Sequence, residues 1–189
     1  AEDDVKGRFW EGRFKSQALL DEQALIAALA YVDLNPIRAG IAETPEGSDY
    51  TAIQQRLGRD PERADECGEM ETSEGRVEAL PRAPLMPFDA TGRTEWAIPY
   101  AFDDYLALVD WLGRAVHPAK RGRIPPDRPK ILERLGMDAE ALAQEASRLL
   151  QAFGSAVGAP ASLTHARARR QIAYLRGIRA AERVFGPAA

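Results

Sequence analysis

The sequence is poor in the side chains that usually bind metals or form cross-links. Its 189 residues include one cysteine, Cys67, and two histidines, His117 and His165, which lie far apart. A lone cysteine excludes an internal disulfide framework and is typical of a reducing compartment, so we predict a cytoplasmic protein. The two histidines lack the spacing of a zinc site, and the sequence shows neither a Gly-rich phosphate loop nor a serine triad.

Long apolar runs are also missing. No stretch is long and apolar enough to cross a bilayer and none resembles a signal peptide, so we predict no membrane partner. The composition is otherwise that of an ordinary globular protein, with 45% hydrophobic and 29% charged residues. The sequence begins with Ala1 rather than methionine, which we interpret as a sign of truncation or processing.

Charge is divided unevenly along the chain, whose net charge is −4. Residues 1–110 carry 11 Lys and Arg against 23 Asp and Glu, a balance of −12, whereas residues 111–189 carry 14 against 6, a balance of +8. A basic segment beside an acidic one predicts that nucleic acid, if bound, contacts mainly the basic part.

Residues 20–40 contain the most informative pattern. Asp21 is placed as the N-cap of a helix that we predict to run to about Leu34, because Asn35 precedes a proline and is biased out of the α region. At helical spacing the predicted apolar stripe comprises Leu25, Ile26, Leu29 and Val32, and another side carries alanines and Tyr31.

Tyr31 and Asn35 are four residues apart and would share a surface of small residues. Small side chains leave room for a bulky group to approach this surface, and a phosphodiester at a metal site is one candidate. Two other interpretations stay open. Tyr31 would pack beneath another element with its hydroxyl hydrogen-bonded, and Asn35 would be the N-cap of a short turn that begins with Pro36.

Two motifs together resemble a known family. Residues 9–16 (FWEGRFKS) and 31–40 (YVDLNPIRAG) resemble the second half of the REP-associated tyrosine transposases, of the single-tyrosine HUH transposase superfamily. The resemblance covers roughly residues 7–57. It implies part of a ferredoxin-like α+β domain and a function in cutting and joining single-stranded DNA with hairpins.

By this resemblance, Tyr31 takes the place of the nucleophile that forms a 5′-phosphotyrosine, and Asn35 that of the third ligand of Mg²⁺ or Mn²⁺. In the family, a His-hydrophobic-His strand supplies the other two ligands, and this sequence has no such pair. A phenol is protonated at neutral pH and attacks poorly without a metal or base. We therefore expect no turnover by this chain alone, and we expect that the histidine-bearing half is missing from this sequence or was lost from the gene.

Basic side chains supply the predicted DNA contacts. Residues 8–19 have the pattern of a strand with one basic face, which would contact phosphates or solvent. Residues 117–126 are predicted to form a basic, proline-stiffened loop, which likewise would contact either phosphates or solvent. The predicted DNA-binding residues are Arg13, Lys15, Arg38, Lys120, Arg121 and Arg123.

We divide the chain into three segments. Residues 1–58 would form the C-terminal half of the transposase-like domain, residues 59–97 an acidic, proline-containing linker, and residues 98–189 an α-helical tail domain. Two apolar stretches, at 84–88 and 96–100, are expected to dock this linker onto a domain.

Helical periodicity predicts the secondary structure of the rest. The expected helices cover about 49–57, 102–115, 129–135, 138–153 and 162–185. The last of these would point its arginines outward.

The sequence thus predicts an α+β, predominantly helical protein, a transposase-like DNA-processing protein in an incomplete form. The alternatives are a non-catalytic DNA-binding or regulatory module and a helical protein that binds another protein. Whether the chain forms a homodimer is left open.

Overall fold

The computed structural model describes residues 16–49, 51–57, 71–72, 75–76, 85–116, 127–146 and 148–186. Its elements, in chain order, are β1 (Ala18–Leu19), α1 (Glu22–Asp33), α2 (Asn35–Ala39), a 3₁₀ turn (Pro45–Gly47), α3 (Ala52–Arg56), β2 (Glu71–Thr72), β3 (Gly75–Arg76), α4 (Phe102–Val116), α5 (Lys130–Arg134), α6 (Ala139–Glu145), α7 (Leu149–Ala152), β4 (Ala156–Val157), α8 (Pro160–Arg169) and α9 (Ile178–Val184). The described chain is predominantly helical with short strands, which confirms the predicted α+β class.

Two pairs of short strands are present. β1 pairs in parallel with β4, with Ala18 opposite Ala156 and Leu19 opposite Val157. β2 and β3 pair antiparallel. Only Ala18–Leu19 of the strand predicted over 8–19 forms a strand in the described part of the chain, and residues 8–15 lie outside it.

Asp21 caps α1 as predicted and also contacts the start of α8. Its Oδ1 accepts a hydrogen bond from the Ala24 N–H at 2.9 Å, and its Oδ2 accepts one from the Ala159 N–H at 2.7 Å. A Cβ on Gly158 would lie 2.8 Å from that Oδ2, so the close approach requires glycine there. One carboxylate therefore connects the beginning of the chain to its C-terminal region.

The buried face of α1 differs from the predicted apolar stripe. The buried residues are mainly alanines, at positions 24, 27, 28 and 30, together with Ile26, whereas Val32 is 61% exposed. Helices α4 and α7 pack against α1, because small side chains allow close helix approach. The prediction was therefore wrong for Val32, and Leu25 and Leu29 are only half-buried.

Helix α4 occupies the centre of the core, close to its predicted bounds. Tyr105, Leu108, Val109 and Leu112 are buried as expected, and Trp111 is a fully buried core residue. Such a helix, buried along one face, is what its periodicity predicts.

The two apolar stretches of the predicted linker dock onto this core. Ile98 and Tyr100 are buried, and an isolated parallel bridge joins Ile98 to Phe88. The Phe88 ring lies 5.2 Å from the rings of Phe102 and Tyr105. This docking confirms the expectation for Phe88, Ile98 and Tyr100, whereas Met86 is 49% exposed and Trp96 is 79% exposed.

A single hydrophobic cluster includes residues from α1, α2 and α3 and residues from Ile98 onward. The segments on either side of the predicted linker thus share one core. The boundaries placed at 58 and 97 stay predictions.

The predicted last helix, 162–185, is interrupted. α8 ends at Arg169 and α9 begins at Ile178, with Gln171 at φ 51° and Gly177 at φ 117° between them. A Cβ on Gly177 would lie 2.4 Å from Phe153 Cδ1, so the chain turns closely over that ring. Tertiary packing has overridden the helical periodicity here.

The other helix predictions hold in part. Asp138 caps α6 as expected, its Oδ1 accepting from the Ala141 N–H at 2.9 Å, but α6 ends at Glu145 and α7 is separate. Near residue 50 the N-cap is Thr51, and α3 is shorter than predicted. Among the described helices, none has both the length and the apolar composition needed to cross a bilayer.

Candidate functional site

The structure brings three of the predicted site residues together at the end of α1. Tyr31 lies half-buried in the last turn of this helix, and a turn at Leu34 (φ −89°, ψ 1°) leads into α2. Arg38, on α2, places its guanidinium over the Tyr31 ring, with Cζ 4.1 Å from the ring centroid. This is the geometry of a cation–π contact.

Asn35 belongs to the same cluster through Arg38. It is exposed, and its Oδ1 accepts a hydrogen bond from Arg38 Nη2. Arg38 Nη1 also donates to the Ala146 carbonyl at 3.4 Å. Asn35 is therefore the first residue of α2 and a partner of Arg38, and Leu34 takes the N-cap position that one interpretation gave to Asn35.

The cluster does not fit a divalent metal as it stands. The Asn35 oxygen that would bind the metal already accepts a hydrogen bond from a guanidinium, whose positive charge repels a dication. Within the described residues no three His, Cys, Asp or Glu side chains are grouped so as to hold a metal ion. His165 lies exposed on α8, and His117 is outside the described residues.

The space beside Tyr31 is small. Tyr31 and Arg38 line a cavity of about 10 Å³, which leucines of α4, α6 and α7 close from the other side. A cavity of this volume holds about one water molecule. A base that stacks on the face of the Tyr31 ring covered by Arg38 would have to displace the guanidinium.

A buried hydrogen bond, not predicted from the sequence, lies near this cluster. The Tyr105 hydroxyl donates to Asp33 Oδ2 at 2.5 Å, and Asp33 is only 4% exposed. Burial raises the pKa of Asp33, although the hydrogen bonds from Tyr105 and from the Ile53 N–H and the charge of Arg56 oppose the shift. Burial and the Asp33 charge also raise the pKa of Tyr105.

This pair joins α1 to α4 within the core. The pattern placed Tyr105 on a buried face, but the sequence contained no signal for its partner, because 72 residues separate the two.

A second group of basic residues, here named the arginine surface, is distributed over α8, α9 and the connection between them. Its members are Arg167, Arg169, Arg170, Arg176, Arg179 and Arg183. Five are exposed and Arg167 is half-buried. In the described part of the chain, only Arg183 among them forms an ion pair, at 2.8 Å from Glu145. Arg170 and Arg176 donate to neutral acceptors, Ser155 Oγ and the Gln151 carbonyl.

The remaining predicted DNA-binding residues are Arg13, Lys15, Lys120, Arg121 and Arg123. All five lie outside the described residues. Their role stays a prediction.

Comparison with models of protein families, with curated proteins and with solved structures gives no match to this chain. The relation to the REP-associated tyrosine transposases therefore stays a prediction from residues 9–16 and 31–40.

Proposed function

We propose that this chain is a DNA-binding protein of the transposase type that binds single-stranded DNA and does not cleave it unaided. The arginine surface is the observation that carries this proposal. Five of its six arginines are exposed and, apart from Arg183, none has a carboxylate partner among the described residues. Such charges attract phosphates and release counterions when DNA binds.

The transposase relation supplies the expected class of DNA. Hairpin-bearing single strands are the substrates of the family that residues 31–40 resemble. A partial ferredoxin-like domain over residues 1–58 belongs to the same proposal and rests on the resemblance alone.

Strand cleavage through Tyr31 is the second candidate function. The contact between Tyr31 and Arg38 favours it, since a phosphate bound by the guanidinium would lie near the phenol. The small cavity and the hydrogen bond between Arg38 and Asn35 favour binding without cleavage. We therefore propose DNA binding first.

Fluorescence anisotropy with a labelled single-stranded hairpin oligonucleotide, at several salt concentrations, tests the proposal. Replacing Arg169 and Arg179 together with alanine should weaken binding and flatten the slope of log K against log salt by up to about 1.4 units, or about 0.7 for each lost phosphate contact to a single strand.

The matched control replaces Arg128 and Arg134 with alanine. These residues pair with Glu140 and Asp104, so the control removes the same charge from arginines that are already neutralised. If both double variants have the same slope of log K against log salt, the arginine surface does not contact the DNA. No binding by the unaltered protein at low salt would end the proposed function.

A further inference from the structure

Tyr174 is an exposed aromatic residue within the arginine surface. It is 75% exposed and lies in the connection between α8 and α9. It lines a surface groove of about 700 Å³ together with Arg176, Arg179 and Arg183 and one carboxylate, Glu182. This volume is within the range of ligand-binding clefts, about 300–1,000 Å³.

The backbone that follows Tyr174 is anchored to the core. The next residue, Leu175, is buried, and the Gly154 N–H donates to the Arg176 carbonyl at 3.2 Å. Gly177 then turns closely over the Phe153 ring. A tyrosine side chain has few rotatable bonds, so presenting it from an anchored turn costs little further conformational entropy when a ligand binds.

The neighbouring charges indicate what the ring would contact. Arg176 donates one hydrogen bond to the Gln151 carbonyl at 2.9 Å, and a guanidinium has further N–H groups to offer. Arg179 is exposed and has no hydrogen-bond or ion-pair partner among the described residues. An exposed aromatic ring that lines the same groove as guanidinium groups suits a chain of bases joined by phosphates.

We propose that Tyr174 stacks against a base of single-stranded DNA while Arg176 and Arg179 bind the phosphates on either side of it. Duplex DNA hides its base faces within the stack, so the site selects single strands. The inference rests on the proposed DNA-binding function and adds to it a defined contact outside the Tyr31 cluster.

Anisotropy titrations of the full chain with a labelled oligo(dT) strand test the inference. Tyr174→Ala should weaken binding about 5- to 150-fold, the range expected when alanine removes one base–aromatic stack. Tyr174→Phe keeps the ring and should bind within about twofold of the unaltered protein. Both variants should fold normally by circular dichroism, since the side chain is largely exposed.

Trp96 provides the matched control. It is 79% exposed and follows Glu95, away from the arginine surface in sequence, so Trp96→Ala should leave affinity unchanged. An equal loss in Trp96→Ala and Tyr174→Ala, or an equal loss by Tyr174→Ala for duplex and single strands, would overturn the stacking site. Tighter binding of oligo(U) would overturn DNA as its ligand.

The same titrations distinguish a failure of the stacking site from a failure of the proposed DNA-binding function. If the unaltered protein binds oligo(dT) and Tyr174→Ala binds equally well, the stacking site is refuted and the proposed function stands. If the unaltered protein binds no single strand at low salt, the proposed function fails as well.

Discussion

Replacing Tyr105 with phenylalanine tests the buried contact that joins α1 to α4. The variant removes one hydroxyl that donates to the Asp33 carboxylate at 2.5 Å, and the ring stays in place. Hydrogen bonds to charged groups contribute about 1.5–3 kcal/mol, so Tyr105→Phe should lower the free energy of unfolding by about that amount at neutral pH. The Ile53 N–H still donates to Asp33 in the variant, so the loss of stability should lie near the lower end of this range.

The pH dependence follows from the pKa of Asp33, which burial raises above 3.8. A raised pKa means that the folded protein holds this proton more tightly than the unfolded chain. The stability from Asp33 is therefore fully present below about pH 3.8 and is lost as the pH rises through the raised folded pKa. The Tyr105 bond stabilises the ionised form, so the difference between the two proteins should shrink as the pH falls toward 4.

Urea unfolding at several pH values measures these differences. Tyr100→Phe is the matched control, because the Tyr100 hydroxyl donates to the uncharged carbonyl of Glu22. That loss should be about 0.5–1.5 kcal/mol and should not change with pH. An equal, pH-independent loss in both variants would refute the role assigned to Asp33.

Two further predictions concern other parts of the chain. Gly158→Ala should destabilise the fold by about 1–3 kcal/mol in urea unfolding, because its Cβ would lie 2.8 Å from Asp21 Oδ2; an unchanged midpoint would contradict this close approach. Replacing Lys120, Arg121 and Arg123 together with alanine should lower affinity similarly for all DNA sequences and flatten the salt slope by up to about 2 units. An unchanged slope in the same anisotropy titrations would show that these three residues do not contact the DNA.

Gly154→Ala is the control for the glycine variant. Its Cβ would have no neighbour closer than 3.3 Å, so the cost should be smaller. Arg128→Ala is the control for the triple variant, since Arg128 already pairs with Glu140 and its loss should change the salt slope less.

Local signals predicted much of the fold. The caps at Asp21 and Asp138 and the buried face of α4 depend on residues within a turn or two, so they were visible in the sequence. The docking of Ile98 and Tyr100 followed from their apolar character, although the same character did not bury Trp96. These are features that short-range spacing determines.

The rest depends on distant partners. The break between α8 and α9 arises where Gly177 meets Phe153, and the alanine face of α1 is buried because α4 and α7 come to lie on it. Spacing placed Tyr31 beside Asn35, but it contained no sign that Arg38 contacts both. Tertiary packing decides such contacts, and periodicity within one helix does not.

The central claim is that this chain binds single-stranded DNA without cleaving it unaided. An internally labelled hairpin oligonucleotide, incubated with the protein and Mg²⁺ or Mn²⁺, should be retarded on a native gel and released completely in denaturant. This result is expected because the Asn35 oxygen that would bind the metal already accepts a hydrogen bond from Arg38, and because the sequence has no His-hydrophobic-His pair. A denaturant-resistant protein–DNA band that is lost in Tyr31→Phe and kept in Tyr174→Phe would contradict the claim and assign cleavage to Tyr31.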